Sequence, residues 1–258
     1  MSLGACTSFS PPLQSTHHGA PERLREGDLE LQGAVSGFAS DGGSAPEYGQ
    51  GRVGYGVRDW VAVEGGGTFA RDLWAMAYAG PRVTLSPNRD EPIHAAADVE
   101  LGLGLGAGGA IAAPPEGEQP SDPRPWNQRL AFGAYTGLGA GLHIHWFSVF
   151  ARVRLQGSRA DGLPASFWSS GVGGMQFRIK HTVDLFMAAG YFNLATRDYA
   201  QYAGLYEFGV AVHFDVRSLV RKRAQRRATR AGSTRSSRVG PQARALAESA
   251  GRERPSRG

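Results

Sequence analysis

Ala97-Asp98-Val99-Glu100-Leu101-Gly102-Leu103-Gly104-Leu105 carries an apolar residue at every odd position and a charged residue or glycine at every even one. A period of two belongs to an extended strand, whose side chains alternate between faces, whereas helical spacing would scatter Asp98 and Glu100 around an axis. Phe147-Ser148-Val149-Phe150-Ala151-Arg152-Val153-Arg154-Leu155-Gln156 repeats the pattern, and so does Val183-Asp184-Leu185-Phe186-Met187, each with one aromatic residue on the minority face. One face of such a strand suits lipid and the other a polar lumen.

Working outward, ten segments of strand character run near 28–39, 50–57, 60–69, 73–85, 95–107, 129–141, 146–157, 167–179, 183–194 and 203–214. Most match the ~9–11 residues that cross a bilayer at a tilt of roughly 45° and exceed the ~5–6 of soluble strands. The parity predicts that Glu30, Arg52, Glu64, Arg82, Asp98, Glu100, Arg152, Arg154, Arg178, Asp184 and Glu207 line the lumen, their two signs nearly balanced. Glycine and alanine on neighbouring strands would make room for these long side chains. Odd-numbered gaps (40–49, 108–128, 158–166, 195–202) are mostly long and even-numbered ones (58–59, 142–145, 180–182) mostly short; 70–72 and 86–94 break the rule. Long loops on one side and tight turns on the other are the pattern of outer-membrane barrels, with the turns in the periplasm. Trp60, Trp74, Trp126, Trp146 and Trp168 fall near strand ends, where aromatic girdles sit.

No apolar run reaches the ~18 residues of a membrane-spanning helix, so any crossing is made by strands. The net charge of +5 is unevenly held: residues 1–216 carry 15 basic and 21 acidic side chains, 217–258 carry 13 and 2. A single cysteine, Cys6, excludes an internal disulfide framework and a cysteine-based zinc cluster. The chain therefore divides into a leader or tether over 1–27, a transmembrane barrel over 28–214 and a disordered Arg-rich tail over 215–258.

Tyr206-Glu207-Phe208-Gly209-Val210-Ala211-Val212-His213-Phe214 resembles the closing strand of bacterial outer-membrane β-barrel proteins, with Phe208, Val210, Val212 and Phe214 as the residues of the β-signal. In most members that Phe ends the chain; here 44 residues follow. The resemblance covers about 28–214. It implies an all-β, antiparallel, up-and-down porin-like barrel of about ten strands (eight to twelve) in the outer membrane of a Gram-negative cell envelope, in contact with lipid and with the barrel-assembly machinery. Leu3-Gly4-Ala5-Cys6 resembles the lipobox of bacterial lipoproteins, which implies acylation of Cys6.

Some ten-stranded barrels of this family, the omptin-like proteases, use His and Asp at the extracellular rim, and lipid A deacylases use His and Ser near the outer leaflet. The topology above puts His94, His143, His145, His181 and His213 at periplasmic turns or strand ends and His17 and His18 in the leader, leaving no outer base within reach of a substrate. His143-Ile144-His145 would offer two ligands if extended, fewer than the three or four a metal site uses. No catalytic, cofactor or metal residue is expected. The reading is a structural or surface-binding barrel without catalysis; the alternatives are a narrow channel for small solutes, a soluble lipocalin-like carrier and a rim enzyme. For the tail, with Arg221-Lys222-Arg223 and Arg226-Arg227, anionic lipid or another envelope polyanion ranks as partner ahead of nucleic acid.

Overall fold

In a computed structural model, the described residues are 8–22, 24–40, 43–44, 48–70, 73–88, 90–111, 129–179, 182–197, 200–216 and 218. Ten long strands follow one another: β1 (Asp28–Ser40), β2 (Tyr48–Arg58), β3 (Val61–Ala70), β4 (Trp74–Leu85), β5 (Ile93–Gly108), β6 (Leu130–Ile144), β7 (Phe147–Ala160), β8 (Ser166–Ile179), β9 (Val183–Ala195) and β10 (Ala200–Asp215). Each pairs antiparallel with its neighbours in sequence, and β10 pairs with β1, so the sheet closes on itself. Closure leaves no edge strand, and every backbone group can be satisfied within the wall.

The ten expected segments are these ten strands, several running further than the sequence suggested. Pairs such as Ala131 with Ala160 and Ala195 with Ala200 extend the hairpins, so the stretches between strands shorten to 161–165 and 196–199. At the opposite end β6 and β7 join through His145 and Trp146. His145 has φ of 54°, the left-handed conformation that a tight hairpin turn requires.

Alternation fixes which side each residue faces. Leu101, Leu103 and Leu105 are 51–70% exposed on the outside, while Asp98 and Glu100 are buried inside. The outer surface follows suit: large apolar side chains are exposed on every strand with described side chains, and the charged ones are turned in except near strand ends, where Arg58 and Arg159 are exposed. This is the inverse of a water-soluble protein and the arrangement of a wall bathed in hydrocarbon. It rules against the lipocalin-like alternative, whose interior would be apolar. The described residues up to Phe214 form one compact unit.

Candidate functional site

Register decides how the inward charges meet. Gly137 on β6 stands between Glu100 on β5 and Arg154 on β7, and Gly139 stands likewise between Asp98 and Arg152. A Cβ at Gly137 would lie 2.4 Å from Glu100 Oε1, and one at Gly139 would lie 2.4 Å from Asp98 Oδ1. The glycines are thus the gaps over which each pair reaches: Arg154 Nη2 donates to Glu100 Oε1 at 2.8 Å and Arg152 Nη2 to Asp98 Oδ2 at 2.6 Å. Across β1 to β4, Arg52 joins Glu30 and Glu64, while Arg82 Nε lies 2.7 Å from Glu64 Oε1 as a charge contact. At the turn end Arg178 holds Asp184 at 2.9 Å and also Glu22.

All eleven residues that parity assigned to the lumen lie inside the barrel. Glu207, fully buried on β10, is not among the carboxylates that these arginines hold. It turns instead to the segment that sequence reading treated as a polar tether.

Residues 9–22 run through the barrel from end to end. Gly27 N donates to Gly56 O and Arg25 pairs with Asp90 at the turn end; Ser10 Oγ donates to Pro164 O, and Phe9 packs edge-on against Trp168 at the loop end. Ser8–Phe9 completes the passage by pairing with Ala110–Ile111. Between these points Leu13, Gln14, Thr16, His17 and His18 are all at most 2% exposed. The leader is therefore the filling of the lumen. The sequence signal for it was indirect: a ten-strand wall is wider than the eight-strand barrel that side chains alone can fill, and much of this one's lining is glycine and alanine.

Two constellations form only because the segment is there. His17 Nδ1 lies 2.9 Å from Glu207 Oε1, and Ser170 Oγ lies 3.0 Å from His17 Nε2. A Ser–His–carboxylate relay is the arrangement that activates a nucleophile. Here it is enclosed: Ser170 is 8% exposed, and the histidine itself belongs to the segment that blocks the lumen. His18 Nε2 stands 2.8 Å from Glu100 Oε2 and 3.6 Å from Glu64 Oε2, three ligand-bearing residues in one place. Each carboxylate already serves an arginine through its other oxygen, and guanidinium charge so close opposes a divalent cation. Glu22, Asp184 and His213 gather similarly around Arg178.

Charge inside, apolar residues outside and closure through β1 and β10 decide the architecture. This is the fold of an outer-membrane β-barrel. Solved structures it resembles include the N-terminal barrel domain of Pseudomonas aeruginosa OprF (9% identity, TM-score 0.32, covering 74% of this chain and 100% of that one). The outer membrane protease OmpT from Escherichia coli (9%, 0.30, 77% and 97%) and the outer membrane protein OprG from Pseudomonas aeruginosa (9%, 0.31, 76% and 98%) are similar to it in the same degree. At such identities and scores the assignment rests on this chain's own ladder. No protein-family model matches the sequence, and no curated protein does.

The remaining sequence candidates fall as follows. Phe208, Val210, Val212 and Phe214 share one face of β10, with Phe208, Val210 and Phe214 exposed on the outside. Trp60 and Trp146 project outward at the turn end, as girdle residues do, whereas Trp74 and Trp168 point inward, 3% exposed, and cap the lumen with Phe9. The parity of β4 and β8 turns both rings in. His143 is not a solvated turn residue: it is buried, with Ser148 Oγ 2.8 Å from its Nδ1 and Pro21 O 2.8 Å from its Nε2. Its ring stacks on His94, while His145 is exposed in the turn, so the two histidines of the His-x-His run do not converge. Cys6, Trp126, His181 and the basic runs at 221–223 and 226–227 lie outside the described residues.

Proposed function

We propose that the protein is a closed barrel of the bacterial outer membrane with a structural or surface-binding role and no catalysis. The observation that carries this reading is the occupied lumen: residues 9–22 take up its length, and wall arginines that would otherwise line an aqueous path are engaged in ion pairs. The enclosed Ser170–His17–Glu207 relay then serves to seat the segment. The outward apolar belt makes lipid its solvent, and the outer face of β10 offers the assembly machinery its signal. A narrow channel is the second reading, and it requires the segment to leave.

Fractionation with gel mobility before and after boiling tests the barrel, which should co-purify with outer membranes and migrate differently once unfolded. Recording in planar bilayers tests closure. The full chain should pass no resolved single-channel current, and steady unitary openings would overturn the closed reading in favour of the channel.

A further inference from the structure

The wall holds residues 10–21 chiefly by their main chain. Gln156 takes both sides of one residue, its Oε1 accepting from Gln14 N and its Nε2 donating to Gln14 O, each at 2.8 Å. Gln50 Oε1 accepts from two successive amides, Ser15 N at 2.9 Å and Thr16 N at 3.0 Å. Glu207 accepts from His17 N and Gln176 from Ala20 N, while Arg154 donates to Thr16 O and Arg152 to Gly19 O. A peptide amide buried without a partner is costly, so this set of side chains substitutes for the second strand that an extended segment would otherwise need.

The segment's own side chains divide: Ser15 Oγ meets Thr68 Oγ1 and the His17 ring meets Glu207 and Ser170, but others are left without partners. Both polar atoms of the Gln14 amide, the Thr16 hydroxyl and His18 Nδ1 are buried without a hydrogen-bond partner among the described residues, although the main chain of Gln14 and Thr16 is bonded at both N and O. Close approach also depends on small residues: a Cβ at Gly19 would lie 2.1 Å from Gln176 Oε1. The lumen therefore reads N–H and C=O groups at fixed intervals and is indifferent to several of the side chains between them.

We propose that the lumen is a binding channel for an extended polypeptide recognised through its backbone, occupied at rest by the chain's own residues 10–21 and able to take a peptide supplied in trans. The ligand class is an unstructured, polar segment with small residues where the wall comes closest, and main-chain pairing gives the affinity, as when a peptide is added to a sheet.

A full-length protein with a protease site inserted between Glu26 and Gly27 is folded and then cut, so that the resident segment is held without a covalent link. Three labelled peptides spanning residues 8–22 are offered in excess: the native sequence, one with Gln14 and Thr16 replaced by Ala, and one N-methylated at Gln14, Ser15 and His17. Bound label and released resident segment are measured. The native and Ala peptides should displace the resident segment within about tenfold of each other, and the methylated peptide should bind at least ~100-fold more weakly, since three donors are lost. Equal binding by the methylated peptide overturns the proposal, as does failure of the Ala peptide where the native one enters. So does exclusion of every peptide after mild urea has removed the resident segment from a barrel that stays heat-modifiable. In the uncut chain, Gln14→Leu with Thr16→Val should leave the lumen closed, and unitary currents from that variant would also refute it.

Discussion

Gly137→Ala isolates the gap beneath the Glu100–Arg154 pair. The new Cβ would sit 2.4 Å from Glu100 Oε1, where ordinary contact begins near 3.4 Å, so the carboxylate must withdraw by about 1 Å. Its bond from Arg154 Nη2 would stretch from 2.8 Å to beyond hydrogen-bonding distance, leaving a buried guanidinium with one fewer partner. Breaking a buried pair costs roughly 3–5 kcal/mol, and Gly→Ala returns roughly 0.4–1 kcal/mol through the unfolded chain, which leaves about 2–4 kcal/mol of destabilisation. Urea unfolding from lipid vesicles, followed by Trp fluorescence, should show a midpoint lowered by about 1–2 M for a slope near 2 kcal/mol/M. Gly157→Ala on the adjoining strand is the control, because a Cβ there meets nothing within 4 Å; it should be neutral or slightly stabilising. Adding Glu100→Asp, with a shorter reach, should recover part of the loss. Coincident midpoints for Gly137→Ala and Gly157→Ala would refute the argument that these glycines exist to admit the ion pairs.

Brominated lipids should quench Trp60 and Trp146, which are 54% and 63% exposed, and spare Trp74 and Trp168; single-Trp variants report each ring, and quenching of Trp74 would contradict its inward position. A fluorophosphonate probe should leave Ser170 unlabelled in the folded protein, as mass spectrometry of its tryptic peptide would show, because the phosphonyl group cannot reach a hydroxyl enclosed by the segment. Glu207→Leu should cost about 1–3 kcal/mol in the same urea titration, since it strands His17 N and its ring nitrogen without an acceptor.

The wall was legible because alternation is written residue by residue: once Asp98 and Glu100 are set opposite Val99 and Leu101, the parity of the other strands follows, and inward and outward residues with it. Strand lengths were less so, because hairpins continue as far as pairing allows, which Ala195 and Ala200 do not announce. Trp74 and Trp168 were misread because position near a strand end was used where parity should have decided. The threaded segment was not legible, for a physical reason. Ser15, Thr16, His17 and His18 look like solvated linker, and what buries them is a set of partners 21 to 190 residues away in the chain, many of them aimed at backbone atoms that all sequences share.

Ten strands return a chain to the end from which it set out, so an even-numbered barrel keeps both of its termini on one face. The threaded segment adds one more passage, and the sum becomes odd. Ser8, paired beside the 109–129 connection, and Phe214, next to His213 whose N–H reaches Thr182 O in the 180–182 turn, therefore stand on opposite faces of the wall. A pull applied ahead of Ser8 on one face would be transmitted along a continuous covalent thread to Gly27 on the other, resisted on the way by the pairing of Ser8–Phe9 and largely by side chains gripping main-chain atoms. Mechanically the molecule is a sleeve around a cord, and both are the same polypeptide.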